Sequence, residues 1–315
     1  MQEDPGDEDR FFEEAMNLII RLQNDPSNPV ALTMIRHWRT RSAAHERIWA
    51  EALEIHGMSG RVLADQYGLQ PTAGLSRRKF VLAGALLLGT AVTSGLLGPR
   101  LVARTRADFS TGTAEIRRVS LPDGSVVTLG PDSGIGLSFT ERRRDVRLLY
   151  GMVFAEVARD ADRPFVIGVD NITATALGTA YDVSNDGGFV TIAVDHGLVQ
   201  VDAPLVDRAR LAAGQWLRVD PDGRRFDRGI RDVGQSAAWR NGMIVADNEP
   251  IAAVIARITR WQAGEVLIAD PNLGLLRISG VFDLNHPLRA LEAVVQPYGG
   301  KVRQISSWLT IIAKI

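Results

Sequence analysis

Three of the five histidines, His37, His45 and His56, are the first residues in this 315-residue chain that could do chemistry, and that chemistry would be metal binding. His37 and His45 are two helical turns apart with no carboxylate between them, so no single face presents a ligand set. No metal and no cofactor is expected. Cysteine is absent, which removes disulfides, thiol catalysis and Cys-bearing zinc sites. Gly134-Ile135-Gly136 has no helix after it and does not read as a phosphate cradle. Asp160 and Asp162 flank a loop and read as solvated. No Ser/His/Asp set and no convergent carboxylate pair stands out, so the chain is not expected to be an enzyme. Lys+Arg 36 against Asp+Glu 37 leaves a net charge of -1, with no basic bias toward nucleic acid.

The elements that must position any site are unusual in their order. Ser76-Arg77-Arg78-Lys79 precedes a run from Phe80 to Leu97 that carries no charge. As a helix this run would span about 27 Å, close to the hydrocarbon thickness of a bilayer. A buried core helix would show a polar stripe, and this run is apolar or small on every face, so a single membrane span is expected. Arg77, Arg78 and Lys79 before it are balanced by Arg100, Arg104 and Arg106 after it, which leaves the positive-inside count undecided. The pattern Ser76-Arg77-Arg78-Lys79-Phe80-Val81 resembles a twin-arginine export signal and breaks the tie. Without a convincing small-x-small cleavage site, the span is expected to stay as an anchor, N-terminus inside and C-terminus outside.

Before the span the pattern is helical. Phe12, Met16, Ile19 and Leu22 recur on one face. Asn28-Pro29 opens a second helix with Leu32, Ile35 and Trp38, and Ser42 caps a third with Ile48, Trp49, Ala52 and Leu53 inward. Trp38 and Trp49 either fill the core of this small unit or mark the face a partner meets. Arg36, Arg39, Arg41 and Arg47 are spread over helix and turn rather than along one recognition helix. A solvated basic face, or a face for an acidic protein partner, fits better than DNA.

After the span, short apolar runs recur at roughly ten-residue spacing between turns such as Leu121-Pro122-Asp123-Gly124-Ser125, which predicts an all-β unit. Val146/Leu148/Tyr150 and Val153/Val157 read as separate strands. From Ala237 onward the texture changes to β-α-β-β-α-β-β, a small α+β domain closing on a hairpin across Ser306-Ser307.

The stretches "SLPDGSVVTLGPDS", "RLLYGMVFAEVARDADRPFVIGV", "ALGTAYDVSNDGGFVTIAVDHGLVQV" and "LAAGQWLRV" resemble the periplasmic domain of the FecR family of transmembrane anti-sigma regulators. "IRLQNDPSNPVALTMIRHWRTRSAAHERIWAEA" resembles that family's cytoplasmic helical domain, and the tail resembles the short N-terminal domain of secretins and TonB-dependent transducers. The resemblance implies a multidomain chain. A small all-α cytoplasmic domain (1–75) would precede the twin-arginine motif and transmembrane helix (76–98). A periplasmic all-β FecR-like domain (108–220) and a periplasmic α+β domain (237–315) would follow. It further implies a single-pass bacterial inner-membrane anti-sigma factor. An extracytoplasmic-function sigma factor would bind inside, with Arg36, Trp38, Arg39 and Trp49 at or behind the interface. Outside, the signalling domain of an outer-membrane TonB-dependent receptor, typically one loaded with a ferric siderophore, would bind. The rival readings are a membrane-anchored periplasmic glycan-processing enzyme, which lacks the two carboxylates it needs, and an envelope scaffold, which leaves the helical segment unexplained.

The resemblance also singles out Gly178-Thr179. In some FecR-like regulators this bond is described as self-cleaving by an N–O acyl shift, in which the Thr179 hydroxyl would attack the Gly178 carbonyl given backbone strain and an activating base. The plainer reading is that Gly178 permits a bend between strands. It is preferred because no general base is identifiable nearby; Asp182 is three residues on.

Overall fold

The computed structural model describes residues 10–12, 14, 15, 18, 19, 29–50, 52, 105–204, 206–306 and 309–314. Arg77, Arg78 and the expected span lie outside the described residues; among those residues no helix is long and apolar enough to cross a membrane. The chain divides into two compact units. One comprises Met1–Arg100, Gly264–Leu273 and Tyr298–Ile315, the other Leu101–Ala263 and Gly274–Pro297. Elements of the expected tail domain fall in both.

The second unit is dominated by thirteen strands. Its organising element is β5 (Arg144–Glu156). The first half of β5 pairs antiparallel with β4 (Gly134–Phe139) and parallel with β6 (Phe165–Val169). Its second half pairs antiparallel with β3 (Val126–Leu129) and β8 (Ala180–Asp186). The two strands expected here are therefore one strand that passes from one sheet to the other. Gly151, at φ 89, sits at the crossing, and a Cβ there would lie 2.4 Å from Ser133 Cα. Only glycine allows that bend without ending the strand.

From β5 one sheet continues through β6, β7 (Ile172–Ala176), β10 (Leu198–Ala203) and β11 (Val206–Ala212), and the other through β8, β9 (Phe189–His196), β12 (Gln215–Val219) and β13 (Phe226–Ile230). β1 (Phe109–Ser110) pairs with β4, and β2 (Arg117–Ser120) with β3. One apolar core takes Ile135, Leu148, Phe165 and Val199 from the first sheet and Val127, Val153, Tyr181, Ile192 and Leu217 from the second. The all-β expectation for residues 108–220 holds.

One end of β5 is closed by Arg144, which is fully buried. Its Nη1 donates to Asp123 Oδ2 at 2.8 Å and to the Ala158 carbonyl at 2.9 Å, and its Nε donates to the Arg163 carbonyl at 2.9 Å. The predicted turn at Asp123-Gly124 is thereby tied to the loop before β6. Beyond β13, β14 (Met243–Pro250) pairs antiparallel with β16 (Arg277–Asp283). The helices Ile251–Thr259 and Pro287–Val295 lie against each other and against these strands.

In the first unit β18 (Leu309–Lys314) runs parallel to β15 (Glu265–Ile268) and antiparallel to β17 (Gly300–Ser306). The expected final hairpin is present, with residues 307 and 308 outside the described set. The expected helix opening at Pro29 runs Pro29–Arg39. The next helical stretch starts at residue 43, where Ser42 Oγ accepts the His45 amide at 3.4 Å. Phe12, Ile35, Trp38, Ile48 and Trp49 share one cluster with Ala269, Ile305, Ile311 and Ala313 of the three-stranded sheet.

Candidate functional site

On the Pro29–Arg39 helix, Ile35 and Trp38 point the same way, three residues apart, into the core. Trp38 is 4% and Trp49 5% exposed, so both tryptophans are buried in the core of this unit. Trp38 Nε1 donates to Glu14 Oε2 at 2.6 Å. The His45 ring lies 4.0 Å from Phe11 and 4.7 Å from Trp38, a packing role that accounts for this histidine without a metal. Arg36 is exposed, whereas Arg39 is engaged by Glu46 through Nε at 2.8 Å and Nη2 at 2.5 Å. That hydrogen-bonded pair holds the Glu46 carboxyl below, and the Arg39 guanidinium above, their ordinary pKa values. Of the four residues expected at the interface, Arg36 is the one that is exposed, beside exposed Met34.

Gly178-Thr179 lies in the connection from β7 to β8. The Thr179 carbonyl accepts the Val157 amide at 2.8 Å. Its side chain is buried against Gly197, whose Cβ, if present, would sit 2.8 Å from Thr179 Cγ2. Thr179 Oγ1 has no hydrogen-bond partner among the described residues, so none of them is placed to take its proton as attack would require. Two other requirements are missing. Gly178 is not among the residues with positive φ, and Asp182 is committed elsewhere, accepting from Trp239 Nε1 at 2.8 Å. On the plainer reading, freshly purified protein is expected to run as one full-length band on a denaturing gel, as is Thr179→Ala. Two fragments in the unsubstituted chain alone would reverse it.

Sequence reasoning missed a dense constellation of charges among the described residues. On the outer face of the second sheet, Asp182, Ser184 and Asp186 of β8 alternate with Tyr181 and Val183, which enter the core. The Ile251–Thr259 helix brings Arg257 to this face, with Arg260 just beyond it. Arg257 Nε donates to Asp186 Oδ2 at 2.9 Å and Arg260 Nη1 to Asp186 Oδ1 at 2.6 Å. Glu249, at the end of β14, receives three guanidinium groups: Arg257 Nη2 at 3.0 Å, Arg218 Nη1 at 3.4 Å and Arg231 Nη2 at 3.5 Å. Arg218 also reaches Asp227 at 3.3 Å, which Arg277 approaches at 2.7 Å. The Arg218 and Arg231 guanidinium groups lie 5.0 and 5.1 Å from the Trp216 ring centroid. Gly229 on the neighbouring strand leaves room for that indole, since a Cβ would meet Trp216 Cζ2 at 2.8 Å.

The charges divide by their partners. Burial raises the Asp186 carboxyl, but Arg257 and Arg260 outweigh it and leave its pKa below the ordinary value. Asp182 lacks such a partner. Burial pushes it up to about 7, against the hydrogen bond from Trp239 and the charges of Arg257 and Arg231. Between about pH 4 and 7 the native protein keeps a proton that the unfolded chain releases. Stability from this group is therefore complete below its ordinary pKa of 3.8 and is lost as pH rises through about 7. Asp182→Asn keeps the acceptor for Trp239 and removes the titration. Urea unfolding should show the variant gaining on the unsubstituted protein by up to about 1.4 kcal/mol per pH unit across that window. Parallel pH profiles would refute it.

Among the described residues no group of three or more His, Cys, Asp or Glu side chains could hold a metal ion. The geometry defines a two-sheet β unit whose outer face is clasped by a following segment through buried ion pairs. Residues 107–200 match the family model described as FecR protein. Two crystal structures of a "putative anti-sigma factor" from Parabacteroides distasonis ATCC 8503, at 1.65 and 2.50 Å resolution, are similar to this chain. Each is 26% identical, covers 66% of this chain and 98% of its own, and has a TM-score of 0.58. A comparison with curated proteins gives no match. The stretch that matches the FecR model lies within the two-sheet unit.

Proposed function

We propose that this protein is an anti-sigma factor that transmits a signal across the bacterial inner membrane. The observation that carries the reading is the FecR match over residues 107–200, supported by the likeness to the Parabacteroides distasonis structures. Residues 1–75 hold an extracytoplasmic-function sigma factor, the apolar run after Arg77-Arg78 anchors the chain, and residues 108–315 bind the signalling domain of a TonB-dependent, ferric-siderophore receptor. Transmission needs no bond making; it needs binding outside to bias affinity inside. Full-length protein should co-purify its sigma factor. Arg36→Glu should weaken that binding about tenfold or more, because it reverses an exposed charge expected at the interface, whereas Arg39→Gln should weaken it far less, because Arg39 is engaged by Glu46. Equal retention by both variants places the interface elsewhere, and no retention by the unsubstituted chain sinks the reading.

A second topology is favoured by one observation: Phe12, Trp38 and Trp49 share a core with Ile305 and Ile311. A bilayer between residues 50 and 105 and that shared core exclude each other. Reporter fusions after residues 60 and 235 decide between them. Opposite compartments support the spanning reading; the same compartment supports the shared core.

A further inference from the structure

We propose that the end of the two-sheet unit at which β5 begins is a docking surface for lipid, resting on the bilayer that anchors the chain. Connections between the two sheets meet at this end and expose large apolar side chains. Leu177 after β7, Leu198 opening β10, Ile230 closing β13 and Val233 beyond it are 50, 52, 75 and 62% exposed. They form one row. Continuing the β7–β10 register from Thr175 and Gln200 brings Leu177 beside Leu198, which pairs with exposed Ala212 of β11. A Cβ on Gly214 would lie 3.9 Å from Ile230 Cγ2, which joins the β11–β12 connection to Ile230. The Gly234 amide donates to Asp195 Oδ1 at 2.8 Å and holds Val233 near the β9–β10 connection. Among the described residues 105–236, the other exposed large apolar side chains are Ile116 and Phe226, both toward the opposite end. A contiguous exposed apolar row on a folded unit marks an interaction surface.

The path of the chain selects lipid as the occupant. The charge-free run over residues 80–97 ends nine residues before Arg106, a stretch that reaches at most about 32 Å. β1 is antiparallel to β4, so the residues before it run back along β4 toward Phe139 and the end that carries the row. The Arg106 carbonyl follows this path, 3.5 Å from where a Cβ on Gly136 would sit. The inference therefore rests on the spanning reading above. A tether raises the local concentration of this surface at the bilayer, so a patch too small to hold a free protein on a membrane suffices for an anchored one. Charge does not carry the contact. Exposed Arg142 and Arg159 stand among exposed Glu141, Asp162 and Asp232 at the same end, so salt should not release it.

The chain has no cysteine, so one introduced cysteine carries the only fluorescent label. Full-length protein is reconstituted with phosphatidylcholine vesicles containing nitroxide lipids and labelled in turn through Leu88→Cys, Leu198→Cys, Phe226→Cys and Val233→Cys. Headgroup nitroxide should quench the Leu198 and Val233 labels about threefold or more above the Phe226 label, equally in low and high salt. Adding Leu177→Asp/Ile230→Asp should abolish this excess at the Val233 label without lowering the thermal midpoint, since both side chains are exposed. A Leu88 label reached by mid-chain nitroxide, with Leu198 and Val233 labels no more quenched than Phe226, overturns the docking and leaves the spanning reading standing. A Leu88 label that no lipid reaches sinks the spanning reading. In that case excess quenching at Leu198 and Val233 still supports the lipid surface, and its absence overturns it. Leu198 and Val233 labels shielded from a water-soluble quencher in cross-linked dimers, yet out of reach of lipid nitroxide, would assign the row to a second copy and overturn the lipid assignment.

Discussion

Glu249→Ala is expected to destabilise the protein by about 3–5 kcal/mol, the cost of removing one partner from a buried charge network. Glu249 is 1% exposed and is the common ion-pair partner of Arg218, Arg231 and Arg257. Without it Arg218, itself wholly buried, keeps only the half-exposed Asp227, at 3.3 Å, as a carboxylate partner. Arg257 keeps Asp186, so the loss concentrates on Arg218 and Arg231. The network joins β8, β12, β14 and the Ile251–Thr259 helix, so its failure should release that segment from the outer face of the sheet as well as lower stability. For a unit of this size the midpoint should fall by roughly 10 °C. Amide exchange should rise in residues 243–260 before it rises in the β core. Glu249→Gln, which keeps an acceptor and drops the charge, should fall between. A change below about 1 kcal/mol in Glu249→Ala would mean that the arginines find solvent or other partners without cost.

The inner core was legible in the sequence and the outer clasp was not, for one physical reason. Val190, Ile192 and Val194 announce an inward face by strict alternation, and each lies in the core. The same alternation makes Asp182, Ser184 and Asp186 read as the solvent side of β8, and nothing local says that another element will cover them. The cover comes from Arg257 and Arg260, more than seventy positions later, on a helix whose Ile251, Val254, Ile255 and Ile258 identify its core face while Arg257 reads as solvated. Burial of a charge is a tertiary property, visible only when both partners are placed. Edge strands were missed for a different reason. β2 buries only Val119 and β13 buries no residue, so neither carries an alternation to detect. β5 was split because Gly151 looks like a stop, and in the fold it is a bend within a continuous strand. Trp38 and Trp49 could be read either way, as core or as partner face, and burial decides for the core.

Asp123→Ala should cost about 3–5 kcal/mol, and the same mechanism sets the size of the effect. Arg144 and Asp123 have side chains 0% and 2% exposed and meet at 2.8 Å. The Asp123 carboxylate also receives the Ser125 hydroxyl at 2.6 Å and the Ser125 amide at 3.1 Å, which shape the turn between β2 and β3. Ser125 Oγ in turn accepts the Ala158 amide at 2.9 Å, so one carboxylate orders both the turn and the loop leading to β6. Burial raises the Asp123 pKa, but the bonds from Ser125 and Arg144 outweigh it and leave it below the ordinary value. Its stabilisation is therefore present above the ordinary carboxylate range and is lost as pH falls below it, opposite in sign to Asp182. In Asp123→Ala the guanidinium keeps its backbone acceptors but loses its counter-charge, and Phe165, 5.5 Å away, offers only its ring face in return. The double variant Asp123→Ala/Arg144→Met separates charge from packing. Removing both ions from a buried pair is often nearly neutral, so the double variant should recover much of the single variant's loss. Urea unfolding of the three variants closes the cycle. A double variant no more stable than Asp123→Ala alone would show that the loss comes from the Ser125 turn and not from the stranded arginine.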